Sequence, residues 1–325
     1  MLQSKAHNAP APGGRPSCGQ KRISPPDMEP DSHSFTAARR WGARMDCTFS
    51  AASDGRTVLS RMRFSGPLRV QRLFYPEKER ADGAALPCHC CLLHPPGGLV
   101  SGDSLDIRYT VQPGAHCLLT TPAAGKIYGA DARLVPQRQH CSARLEGGVL
   151  EYLPLENIIF NGALAHLHTD FFLKGPCRLL AWDISCLGRR AGNEPFEKGR
   201  LVQRTRIFQD GLPLFHERLD LEGGSGLRAN PAGLNGASVF ASFYACGRAG
   251  DERALRAACE GIRDRFGPAA LPRGQSGVSC RNALLTARYL GQDGAEAARF
   301  CLEAWNITRP LLPGLAARAP RVWNN

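Results

Sequence analysis

From Trp41 to about Leu221, apolar side chains recur at every second position in short runs, and turn residues interrupt them about every ten residues. Trp41, Ala43, Met45, Cys47 and Phe49 alternate with polar or small residues. Only an extended chain places alternate side chains on one face, so this pattern predicts a strand with one buried side. Ser53-Asp54-Gly55 then turns the chain toward strands at Thr57–Leu59 and Leu68–Phe74. Leu105–Val111 alternates in the same way. Pro113-Gly114 leads into Cys117–Thr121, and Glu146-Gly147-Gly148 into Val149–Leu153. Short strands separated by tight turns predict a mainly β architecture of stacked sheets.

The C-terminal third changes period. From Asp251, the residues Leu255, Cys259, Ile262 and Phe266 recur at helical spacing, with Pro268 as the stop. A second helix is predicted over Gly294–Thr308, with Phe300, Cys301, Ala304 and Trp305 on one face and Pro310 and Pro313 ending it. Ala283–Leu290 reads as a strand between them. Residues 1–39 are rich in Ala, Pro, Gly and Ser and show no apolar period. Such a segment buries too little apolar surface to offset its ordering entropy, so a disordered extension is expected there, with one domain over 40–325.

Composition narrows the function classes. The net charge of +12 suits nucleic acid, an anionic membrane or an acidic protein. No nucleic-acid motif and no Lys/Arg run interleaved with aromatics is present. No apolar stretch has the length of a membrane span, and the N-terminus has no apolar signal region. The expectation is therefore no nucleic acid and no membrane. Scattered arginines are explained most simply by genome composition, and next by an acidic protein partner. The 13 cysteines do not fall at disulfide-scaffold spacings, which predicts reduced thiols and a cytoplasmic protein.

Several residues could carry chemistry. In Leu93-His94-Pro95-Pro96-Gly97-Gly98-Leu99-Val100-Ser101-Gly102-Asp103, the prolines and glycines specify a tight loop. It either presents Asp103, with or without His94, to a cation or partner, or is a turn whose Asp bonds its own backbone. Cys88-His89-Cys90-Cys91 offers soft ligands, two on each face of a strand, which is half a structural zinc site; buried structural cysteines are the simpler account. His166 and His168 share one face of a strand, as some metal hydrolases require, but a solvent-facing pair is simpler. Asp183 follows the apolar run Leu179–Trp182, Glu217 sits in Leu214–Leu219, and Glu151 in Leu150–Pro154. Carboxylates in such settings must be paired, hydrogen-bonded or metal-bound. Pairing with arginine is the plainest solution, for instance Glu217 with Arg218 or Arg204. No nucleophile elbow, Walker A loop, dinucleotide fingerprint or HExxH helix is present, which weighs against an enzyme.

Taken in order, these segments resemble the UreD/UreH family of urease accessory proteins. The match runs from Trp41 through Gly66–Arg72, Phe74–Glu77, Leu93–Gly98 with Gly102-Asp103, and Thr120–Ala124 with Lys126 and Tyr128. It continues with Glu151–Pro154, Trp182-Asp183, Gly188-Arg189, Glu217-Arg218, Arg309-Pro310 and Pro320–Trp323. The resemblance implies strands in a helical, solenoid-like stack of sheets with a few C-terminal α-helices. It implies a non-enzymatic scaffold that assembles with UreF and UreG, forms a dimer through the UreF complex, and docks on apo-urease. It also implies that Ni²⁺ passes toward the urease active site through an interior tunnel, with no tightly bound cofactor. Asp103, Asp183 and Glu217 match the acidic residues that line or support that route. Gly125 stands where the family usually has Ser or Thr, and Ser101 where Gly is common. The alternative class is a metal-dependent hydrolase built on His166 and His168.

Overall fold

The computed structural model describes residues 41–189, 192–267 and 270–324. The expected disordered extension, 1–39, lies outside the described residues. From Trp41 the chain forms β1 (Trp41–Ala51), β2 (Thr57–Ser65), β3 (Arg69–Val70) and β4 (Cys88–Leu93). It continues through β5 (Asp103–Val111), β6 (His116–Thr120), β7 (Gly125–Ile127), β8 (Gln137–Glu146), β9 (Val149–Tyr152) and β10 (Asn157–Ile159). Then come β11 (Leu164–Lys174), β12 (Arg178–Leu187), β13 (Arg200–Gln209) and β14 (Leu212–Glu222). A single helical turn, α1 (Gly226–Ala229), leads to β15 (Val239–Cys246), α2 (Glu252–Arg265), β16 (Gly274–Arg281), β17 (Leu284–Gly291) and α3 (Gly294–Leu311).

The mainly β expectation holds. The strands form a seven-stranded sheet in the order β14-β13-β11-β8-β5-β1-β2 and a ten-stranded sheet built on β16-β17-β15-β12-β9-β6-β4-β3. From β4 to β13 the chain passes back and forth between the two sheets. Strands that neighbour one another in a sheet are therefore parallel, as in β5 beside β8 and β9 beside β12. A parallel pair ordinarily needs a long crossover, and here a strand of the opposite sheet serves as that crossover. The turns between sheets are tight enough to need left-handed backbone: Gly114 and Gly147 have φ of 73° and 70°. Both lie in turns that the Pro-Gly and Gly-Gly pairs had marked.

One core lies between the sheets, with Met45, Phe49, Ile107, Phe171, Leu179 and Tyr244 among its members. A second lies between the ten-stranded sheet and α2 and α3, and holds Leu180, Trp182, Phe243, Ile262, Phe300 and Trp305. Strand β12 is buried on both faces, which is why its sequence reads as a continuous apolar run rather than an alternation. Trp323 packs at a tilt against Trp182 and edge-on against Trp305, with ring centroids 5.4 and 6.1 Å apart, and donates from Nε1 to Thr120 at 2.8 Å.

Two local expectations are corrected. The run Leu68–Phe74 pairs as a strand only at Arg69–Val70, with Phe74 in an isolated bridge to His89. Pro310 does not end the second helix but lies in its last turn, because a proline there removes only one backbone bond close to the helix end. Pro268 lies outside the described residues.

Candidate functional site

Asp183 and Glu217 line one pocket between the sheets that is partly open to solvent. Alternation along β12 sends Leu180, Trp182 and Ile184 toward the helices and Ala181, Asp183 and Ser185 toward the opposite sheet. Glu217 comes to meet them from β14, beside Gln203 and Thr205 of β13. The cavity holds about 290 Å³ and is lined also by Ser242 and Arg288. Gln203 donates its amide to Asp183 at 2.7 Å, and Ser185 donates to Gln203 Oε1 at 2.8 Å. Burial, reinforced by the charge of Glu217, pushes the Asp183 pKa up to about 7. Glu217 accepts from the Tyr244 hydroxyl at 2.7 Å, from Ser242 at 3.3 Å and from Arg288 Nε at 2.8 Å. The expected pairing of Glu217 with Arg218 or Arg204 is thus corrected. Both arginines point to the other side of the seven-stranded sheet, whereas Arg288 arrives from β17 of the facing sheet.

This space adjoins two others. A constriction of about 20 Å³, about the room one water requires, shares Asp183 and Thr205 with it. The constriction in turn shares Gln139, Tyr152, Pro154 and Asn157 with a cavity of about 200 Å³ under the Pro-Pro-Gly-Gly loop. His94 and Lys126 line that far end. His94 has a buried Nε2 without a partner, and burial lowers its pKa. The side chain of Asn157 explains Gly125: a Cβ there would collide with Asn157 Oδ1, so the amide oxygen fills the space of the missing side chain. Ser101 accepts from the Asp131 amide at 2.7 Å.

Asp103 is not brought to this place. It is 5% exposed, lines none of these three cavities, and accepts from the Val100 amide at 2.9 Å. Its own amide donates to the Val100 carbonyl at 3.0 Å, so Asp103 closes the loop from within. Cys88, Cys90 and Cys91 are buried free thiols, and burial raises their pKa values. His89 instead donates to Glu77 at 2.9 Å. His166 and His168 share the outer face of the seven-stranded sheet with ring centroids 6.3 Å apart. Burial first, and then the positive charge of Arg204, lower His168 to about 4. Among the described residues no group of three or more His, Cys, Asp or Glu side chains could hold a metal. The hydrolase alternative therefore finds no third ligand there.

Glu151 lies in a different kind of centre. It is fully buried and accepts from Arg309 Nε at 2.9 Å, from His116 Nε2 at 2.7 Å and from Trp305 Nε1 at 2.6 Å. Arg309 also donates to Glu77 at 2.7 Å and to the Ala316 carbonyl. Burial opposes ionisation of Glu151, but Arg309 and His116 overcome it and hold the carboxyl well below the usual range. Sequence reasoning missed Tyr244, Gln203 and Arg288 at the first centre and His116 and Arg309 at the second. Arg309 entered the sequence analysis only as part of the Arg309-Pro310 motif, which gave no sign of its buried partners.

The profile of the family described as UreD urease accessory protein matches residues 42–324. The chain is 41% identical to the urease accessory protein UreD of Marinobacter nauticus over 303 residues, covering 91% of this chain and 97% of that one. It is 41% identical to the UreD of Chromohalobacter salexigens over 296 residues, 90% and 91% of the two chains. It is 38% identical to that of Klebsiella aerogenes over 285 residues, 87% and 96%. No described helix is long and apolar enough to cross a membrane.

Proposed function

The chain belongs to the UreD family of urease accessory proteins, and from that premise we propose that it is a non-enzymatic scaffold that passes Ni²⁺ toward apo-urease within a complex with UreF and UreG. The observation that carries this reading is the run of adjoining cavities between the sheets, with Asp183 at the junction and Glu217 beside it. A divalent ion leaving water needs oxygen ligands along its path, because a bare ion in an apolar space is prohibitive. Asp183, Glu217, Gln203, Tyr244, Ser242 and Thr205 supply such oxygens. Oxygen donors bind nickel weakly enough to release it, where a thiolate cage would retain it. Among the described residues no cysteine lines these three cavities. Arg288 holds Glu217 in place by one hydrogen bond and sits at the cavity wall, where it limits how strongly a cation is retained.

Asp183 adds a proton to the transfer. A carboxyl with a pKa of about 7 carries its proton part of the time at neutral pH. Arrival of Ni²⁺ displaces that proton, and departure of the metal restores it. Asp103 supports the route only indirectly in this reading, by fixing the Pro-Pro-Gly-Gly loop over the far cavity. The test is co-expression of Asp183→Ala and Glu217→Ala variants with urease and its accessory proteins. Both should retain the complex with UreF and UreG, while nickel per urease active site falls by about half or more, the loss expected when one of few oxygen ligands is removed. Full nickel loading in both variants, or loss of the complex before any nickel defect, defeats the reading for these residues.

A further inference from the structure

His94 precedes the Pro-Pro-Gly-Gly run and is held there by the backbone. Two prolines follow it, and the Gly97 amide donates to its carbonyl at 2.9 Å. Beyond the turn, the Leu99 amide donates to the Lys126 carbonyl at 2.7 Å and the Tyr128 amide to the Leu99 carbonyl at 2.9 Å, which fastens the loop to β7. Gly98 permits that approach, since a Cβ there would collide with the Tyr128 ring and the Lys126 carbonyl. The fixed loop sets His94 in the wall of the far cavity, with its imidazole uncharged and its buried Nε2 without a partner. Two amides of the same cavity are also open. Asn157 of β10, and Gln139 on the inner face of β8 between Leu105 and Leu167, make no side-chain hydrogen bond to another described residue. Both line the one-water constriction that leads on to Asp183 as well.

The donors at the two ends of this run differ in kind. Around Asp183 and Glu217 every donor is an oxygen, and carboxylate oxygens suit Mg²⁺ as well as they suit Ni²⁺. An all-oxygen path therefore gives Ni²⁺ little advantage over the divalent ion that a cell holds in far greater supply. The far cavity reverses the balance. No Asp or Glu lines it, and Lys126 adds a positive charge, so Mg²⁺ finds no carboxylate there to replace its tightly held water. Imidazole nitrogen, in contrast, is a ligand that Ni²⁺ prefers and Mg²⁺ does not. The discrimination comes at the point where it counts. The far cavity holds about 200 Å³ and the constriction about 20 Å³, so an ion must exchange water for protein donors before it can go on. His94, Asn157 and Gln139 are the open donors on that side.

We propose that His94 is the specificity-determining residue of the route: in the far cavity its Nε2 takes one place in the shell of Ni²⁺, with the amide oxygens of Asn157 and Gln139 beside it, and so separates Ni²⁺ from Mg²⁺. The inference rests on the reading that Ni²⁺ passes through these cavities. The test titrates the isolated full chain, without urease, with nickel chloride and with magnesium chloride in a calorimeter. His94→Gln should weaken Ni²⁺ binding by about tenfold or more and change Mg²⁺ binding by less than about twofold. His166→Gln/His168→Gln, on the outer face, should leave both affinities within about twofold of the wild type. A second measurement needs no variant fold. Paramagnetic Ni²⁺, added below one equivalent to the wild type, should broaden the His94 imidazole signals in NMR before those of His166 and His168. Equal Ni²⁺ affinity in the wild type and His94→Gln overturns the proposal. So does an equal loss for both ions, a loss confined to the outer-face variant, or His94 signals that Ni²⁺ leaves sharp. The route itself is judged by urease loading in Asp183→Ala and Glu217→Ala. Full loading there defeats the route while the binding site at His94 stands, and a His94 that does not discriminate defeats only this inference.

Discussion

Glu151 and Asp183 stand on neighbouring strands of one sheet, and the two sides of that sheet treat them in opposite ways. Glu151 turns to the helices. There an arginine, a histidine and a tryptophan N–H satisfy it, and Arg309 and His116 hold its carboxyl well below the usual carboxylate range. Asp183 turns to the facing sheet. It finds one amide donor, a second carboxylate and open space, and keeps its proton to about pH 7. The difference teaches that burial alone does not mark a functional carboxylate. A neutralised acid ties elements together, here α3 to the sheet. An acid left short of positive charge and next to a cavity stays available to a cation.

The largest effect should follow from removing the charge that locks Glu151. Arg309→Met leaves Glu77 and Glu151 buried without their shared cation, and should lower stability at pH 7 by about 3–5 kcal/mol in urea unfolding. The pKa values of both acids are depressed in the folded protein, so their contribution is present above the ordinary carboxylate range and is lost as pH falls below it. The variant and the wild type should therefore converge in acid. A loss below about 1 kcal/mol at pH 7 would break the comparison, because the centre would then not be a structural lock.

Asp183 should behave with the opposite sign. Its pKa is raised, so the folded state is penalised as pH rises from the ordinary carboxylate range through about 7. Asp183→Asn keeps a similar shape and removes the charge. It should stabilise the protein at pH 8 by up to about 2–4 kcal/mol, reduced by whatever water the cavity admits, and should have little effect at pH 4. Thermal unfolding at both pH values measures this. Equal midpoints at pH 8 would mean that Asp183 is solvated or paired like an ordinary acid. The smallest effect sharpens the same contrast. Glu217→Gln removes the second contributor to the Asp183 shift but leaves burial, the larger one. The Asp183 pKa should fall only part of the way toward its ordinary value, as read by carboxyl-carbon NMR, with stability changed by less than about 1 kcal/mol because Glu217 is partly exposed. A complete return to the ordinary value would assign the whole shift to the carboxylate pair.

The sequence by itself determined the class of fold and the face on which most side chains lie. A period of two admits only one burial pattern per strand, and turn pairs such as Pro113-Gly114 fix where the chain reverses. The cores around Met45, Ile107 and Leu179, the amphipathic faces of α2 and α3, and the resemblance carried by ordered motifs were all legible for that reason. Partners across the sheets were not. Glu217 meets Arg288 and Tyr244, which lie far along the chain, and Glu151 meets Arg309 across 158 positions. No local period records which strand of the opposite sheet a side chain will face, because strand order and inter-sheet register are properties of the packed whole. For the same reason Asp103, Asp183 and Glu217 looked alike as acids in special settings. Only the tertiary structure separated a loop-closing Asp103 from the two carboxylates that share a cavity, since a void between sheets is made by many distant residues and encoded by no single stretch of chain.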